Sequence, residues 1–193
     1  MHSRLCVAAL LIAALSLPVF GQSKESSASP VMRKPGPGPL RARLSFLVGE
    51  FTTSTRVITG RPGAKEGLGT GTTSIRWGLD SMFLFIDEQS VNSMLGNYRG
   101  FGVLGIDPAG KEYTLTMYNN FGDQPAYHGA FSGDTLVFTT RVPFAGGSFD
   151  QKVVWFAEGK SVRLQVFNDL GKGFVEAIDQ TYRPRMAVPA GER

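Results

Sequence analysis

Cysteine, histidine and long apolar runs are the scarce features of this 193-residue chain, and each scarcity excludes something. The single cysteine, Cys6, sits close to the N-terminus, so no disulfide forms within one chain and stability has to come from a hydrophobic core. Beyond His2 the only histidine is His128, which rules out a cysteine or multi-histidine metal centre in one chain; a hard cation would need carboxylates. No metal and no cofactor is expected. The one apolar run, Cys6 to Leu15, falls short of the roughly 20 residues that a membrane span needs.

That run has basic Arg4 before it and Leu17-Pro18-Val19-Phe20-Gly21 after it, the three parts of an export signal. Cleavage after Gly21 is expected to release a product without a membrane span into the periplasm or the medium. A lipid anchor would need a cysteine at the cleavage point, where there is none. Residues 22–42 are rich in Ser, Pro and Gly and cannot build a core, which makes them a solvated leader. The formal charge of +4 comes from this N-terminal part: from Arg43 onward there are 15 residues of each sign. A neutral domain argues against nucleic acid as a partner.

From residue 43 to 185 the pattern changes to short stretches of period two. Phe51, Thr53, Thr55 and Val57 share one face of the first. Further strands are expected near 67–77, 82–89, 97–106, 112–119, 124–131, 135–143, 148–157, 161–168 and 173–183. Between them lie turn sequences such as Gly60-Arg61-Pro62-Gly63, Asp107-Pro108-Ala109-Gly110, Ser132-Gly133-Asp134, Ala145-Gly146-Gly147 and Glu158-Gly159-Lys160. Such connections leave no room for crossover helices. The reading is all-β, an antiparallel up-and-down barrel of about ten strands with a short helical turn before it, closed so that no edge is left open. A two-sheet sandwich is the structural alternative. Residues 186–193 form a tail.

Gly49-Glu50-Phe51, opening the first strand, resembles the Gly-x-Trp signature of the calycins, the lipocalins and fatty-acid-binding proteins, with Phe51 in place of tryptophan. That resemblance implies structural roles for Gly49, Phe51 and Arg183, the last lying across the Phe51 ring where the final strand meets the first. Several stretches resemble more closely the DUF1579 family of uncharacterised bacterial proteins: Leu47 to Phe51, Gly67-Leu68-Gly69-Thr70-Gly71, Gly102 to Asp107, Tyr118-Asn119-Asn120 to Gly129, and Tyr182-Arg183. The resemblance covers residues 44–183 and implies a fold, not an activity. A related barrel family holds haem through a histidine, but that histidine lies elsewhere in the family pattern.

Two motifs fail on context. Arg99 to Ile106 has the outline of an RNA-recognition strand, yet Phe101 is its only aromatic residue. Gly67, Gly69 and Gly71 suggest a phosphate loop, but no helix follows and no Lys-Ser or Lys-Thr completes it.

The functional expectation is a small, largely apolar ligand inside the barrel, contacted by Trp77, Tyr98, Tyr118 and Trp155, with Glu176 as polar anchor because it alternates with Phe174 and Ile178. Gly69, Gly71, Gly100 and Gly102, lacking side chains, are expected to leave a cavity of roughly 300 Å³ or more. One alternative is a hydrolase or isomerase with His128 as base and Asp123 as its orienter. Another is an envelope interaction module with a filled core.

Overall fold

A computed structural model describes residues 38–58, 65–144 and 146–185. The signal, most of the leader, the tail, and the centres of the turns at 60–63 and 145 lie outside the described residues. A helix of one turn, α1 (Pro39–Ala42), runs into a 3-10 turn (Arg43–Leu47). Ten strands follow: β1 (Gly49–Val57), β2 (Gly67–Gly78), β3 (Phe83–Asn92), β4 (Gly96–Ile106), β5 (Tyr113–Asn119), β6 (Ala126–Ser132), β7 (Thr135–Phe144), β8 (Gly147–Glu158), β9 (Ser161–Asp169) and β10 (Phe174–Pro184). Each pairs antiparallel with its neighbour in sequence, and β1 pairs with β10, so the sheet is a closed barrel.

The helical segment closes one end, where β1 starts. Tyr113 donates from its hydroxyl to the Leu40 carbonyl at 2.8 Å, Phe46 meets Phe131 edge-on, and the Arg43 guanidinium lies 3.8 Å from the Phe131 ring centre. Beneath this cap the interior is apolar. Leu44 and Leu47 of the 3-10 turn join Phe51, Ile75, Leu84, Leu104, Leu136, Phe138, Trp155 and Tyr182 in one buried cluster, the latter being alternating residues of strands whose other face meets water. The opposite end, ringed by the β1–β2, β3–β4, β5–β6, β7–β8 and β9–β10 connections, is the mouth.

Closure does not bring Phe51 and Arg183 together as the calycin resemblance implied. Their strands are adjacent, but Phe51 stands opposite Pro184, and Arg183 opposite Thr52. Side chains alternate across a strand, so Phe51 points inward with Tyr182 while Arg183 points outward and donates to the Ser54 hydroxyl at 3.2 Å. The partner of Phe51 is Tyr182, edge-on at 5.9 Å. Gly49 does have a packing reason: a Cβ there would sit 3.0 Å from Cζ of Phe51, whose ring lies back over the glycine.

Nor do the expected glycines leave space. A Cβ on Gly100 would lie 2.6 Å from the Tyr98 hydroxyl, and one on Gly102 would lie 2.5 Å from the Met117 sulfur. Those two side chains have folded into the room the glycines leave. At Gly69 and Gly71 it is the β3 backbone that comes closest, through the Val91 and Gln89 carbonyls, with Asn92 and Ser90 beside them.

On the outside, the seam between β9, β10 and β1 carries a charge network. Arg163 grips Asp179 with two parallel bonds of 2.8 Å each, and Arg56 reaches the same carboxylate at 3.3 Å. The Arg163 hydrogen bonds hold the Asp179 carboxyl below its usual range. A depressed folded value means stabilisation that is full above the unfolded value of about 3.9 and lost as pH falls through the folded one. Asp179→Asn should therefore cost about 1–3 kcal/mol at neutral pH. Urea titrations should show that difference shrinking below about pH 4.

Candidate functional site

The interior changes character toward the mouth. On β3, Leu84 and Ile86 face the apolar end, and the next inward position is Glu88, only 8% exposed. Its neighbours across the sheet are Thr73 on β2 and Gly100 on β4. Gln180 on β10 donates from Nε2 to Glu88 Oε1 at 2.6 Å, while Gln180 Oε1 accepts from the Tyr182 hydroxyl at 3.3 Å. This relay ties the carboxylate to the core through Tyr182 and Phe51. Among the described residues no cation pairs with Glu88, and burial pushes its carboxyl up despite the Gln180 bond.

More polar groups line the same level. Tyr127 donates to Gln151 Oε1 at 2.6 Å, and Gln151 Nε2 donates to Asn168 Oδ1 at 2.9 Å. Burial pushes the Tyr127 hydroxyl up to about 12 and raises Tyr98 as well, the charge of Glu88 adding to the effect on Tyr98. The hydroxyls of Thr53, Thr55 and Thr73 and the Trp155 indole nitrogen are buried without a hydrogen-bond partner among the described residues. Such groups are uncommon in folded proteins, and an ordered water or a guest molecule is the kind of partner that satisfies them.

Of the residues the sequence suggested, three point inward. Trp77 packs on the core, Trp155 meets Phe138 edge-on at 6.5 Å, and Tyr98 covers Gly100. Tyr118 does not join them: it pairs with outward Phe101 and is exposed. Glu176 is likewise outside. The register of β10 slips between Glu176 and Ile178, so the alternation that should have turned Glu176 inward is broken there. Glu176 accepts from Gln165 at 2.8 Å and lies 3.6 Å from Arg56, in the outer charge network. The inward acid is Glu88, and its signal was in the sequence: it continues the 84, 86, 88 alternation of β3.

His128 stands on the outer face, well exposed, with Nδ1 3.5 Å from Glu112. Its acidic neighbour is Glu112, whereas Asp123 accepts from the Asn119 side chain and backbone. It borders a shallow groove of about 520 Å³ with Ser132, Val137 and Thr139, apart from the lumen. A second outer groove, about 670 Å³, crosses β10, β1, β2, β3 and β4 between Arg183, Thr52, Thr70, Gln89 and Arg99.

No family model and no curated protein matches the chain. Solved structures do. Rv2717c from M. tuberculosis superposes with a TM-score of 0.56 at 12% identity, over 77% of this chain and 99% of that one. The S-type phycobiliprotein lyase CPES from Guillardia theta superposes with a TM-score of 0.52 at 14% identity, over 75% of this chain and 91% of that one. At such identities the likeness concerns the fold, which is a calycin-like barrel.

Proposed function

We propose that the protein is an exported carrier of the DUF1579 type that holds a small, largely apolar molecule in its lumen, with an N–H or ammonium head at Glu88. The observation that carries this reading is the buried Glu88 carboxylate, held by one side-chain amide amid unpartnered threonine hydroxyls. A buried acid without a cation costs stability and adds nothing to packing, so its presence is best accounted for by a guest that supplies the missing donor. The apolar wall below, with Ile86, Leu115 and Phe138, suits the body of such a molecule. Tyr98 and Met117, which cover Gly100 and Gly102, are side chains that an entering guest displaces by rotation, without moving backbone. Export rests on Arg4, the run from Cys6 to Leu15 and the site at Gly21.

Native mass spectrometry of the protein isolated from its own envelope fraction should find a bound small molecule. An apolar fluorescent amine should bind saturably, one to one, and quench Trp155. Absence of both a retained mass and saturable binding would reject the carrier and leave a filled interaction module.

A further inference from the structure

The two ends of the barrel differ in what their loops expose. At the capped end the β4–β5, β6–β7 and β8–β9 turns present Asp107, Lys111, Asp134, Glu158 and Lys160, and among the described residues the exposed large apolar ones there are Leu79 in β2–β3 and the less exposed Val48 before β1. At the mouth large apolar residues stand at four connections: Leu95 in β3–β4, Phe121 in β5–β6, Phe144 at the end of β7, and Leu170 in β9–β10, the last 74% exposed. Phe121 lies 5.9 Å from the ring of Tyr98, and Phe144 lies 6.0 Å from that of Phe149, which places these tips over the lumen rim.

We infer that the mouth docks on an anionic lipid bilayer surface, its loop tips entering the interface and its lysines facing lipid phosphates. A protein partner would bury one continuous apolar patch, whereas these side chains are single tips spaced round a polar opening, each of which a fluid interface can take up separately. Charge points the same way. Lys172 sits in the β9–β10 loop two residues from Leu170, and Lys152, on the outer wall of β8 below that loop, lies 4.8 and 4.7 Å from the rings of Phe167 and Phe174. Neither lysine has a carboxylate partner among the described residues. Of the nearby acids, Asp150 pairs with Arg141, and Asp169 is turned onto three backbone N–H groups of its own loop. The inference goes beyond the carrier reading and does not depend on it, since the surface belongs to the loops and not to the lumen.

Co-sedimentation of the full chain with phosphatidylglycerol vesicles tests it. Because the N-terminal apolar run can itself reach lipid, the readout is the comparison of variants. Combining Leu95→Ser, Phe144→Ser and Leu170→Ser should lower partitioning about tenfold, and Leu79→Ser at the capped end should leave it unchanged. Leu170→Trp should raise partitioning, a gain that misfolding does not mimic, and its emission should shift to the blue with vesicles. Phosphatidylcholine vesicles and high salt should both weaken binding. Equal sedimentation of wild type and the triple variant, or an equal loss with Leu79→Ser, would overturn the inference. So would wild type that stays in the supernatant.

Discussion

Glu88→Gln is expected to make the empty protein more stable at neutral pH and, in the same molecule, to weaken uptake of an amine-bearing ligand by roughly 10- to 100-fold. The binding loss follows from one charge-assisted hydrogen bond, worth about 1.5–3 kcal/mol. The gain in stability follows from burial. A carboxyl whose folded value is raised above its unfolded one has its stabilising contribution in full below the unfolded value, about 4.3, and loses it as pH rises through the folded value. The neutral amide has no such loss and can still bond Gln180. The two proteins should therefore unfold alike in acid and diverge as pH rises. Thermal melts across pH, set beside probe titrations, give both results. A variant that loses stability while keeping its affinity would show Glu88 to be a framework residue and would remove the anchor from the proposal.

Phe138→Ala should be the most damaging single change to the fold, costing about 3–5 kcal/mol by guanidinium denaturation. Phe138 is fully buried, meets Trp155 edge-on, and fills the space over Gly129, where a Cβ would come within 2.7 Å of its ring. The Val137 carbonyl crowds that same Cβ position, so β6 has no side chain at Gly129 that could fill the space. The void would remain, and a void costs more than the transfer of the lost atoms. Phe138→Leu should cost much less. If Phe138→Ala were nearly neutral, the capped end could not be the tightly packed half of the lumen.

Strand number, direction and closure were legible in the sequence because period-two alternation and turn chemistry are local properties, and nine short connections leave few topologies. The inward position of Trp155 followed from the same alternation, and Trp77 and Tyr98, named as aromatic contacts, face inward as well. Arg183 was misplaced because the resemblance set it over Phe51, whereas alternation puts it on the face opposite Tyr182. Glu176 was misplaced for a reason that composition does not carry: the slip between Glu176 and Ile178 on β10 changes which residues face in. Backbone geometry decides that, and Ala177 in a row of ordinary strand formers gives no sign of it. The space over the glycines was misjudged because it depends on rotamers, such as Tyr98 lying over Gly100, that a linear pattern does not specify. Glu88 was legible but passed over, since an acid among inward apolar positions reads as an exception until the fold shows what surrounds it.

The irregularity at Ala177 acts as a phase shifter on the last strand. Upstream of it Glu176 belongs to the outside, and downstream of it Gln180 and Tyr182 belong to the inside, two residue sets that an unbroken strand would put on the same face. Without that one alanine, Glu176 opposite Phe167 and Ile178 opposite Val166 would alternate as in a regular strand, so Ala177 is the extra residue that lets the two halves keep different phases of the sequence. For this lumen, then, the inventory of side chains is less decisive than their count along β10. A residue gained or lost elsewhere in the strand would exchange the two faces of whichever half slid.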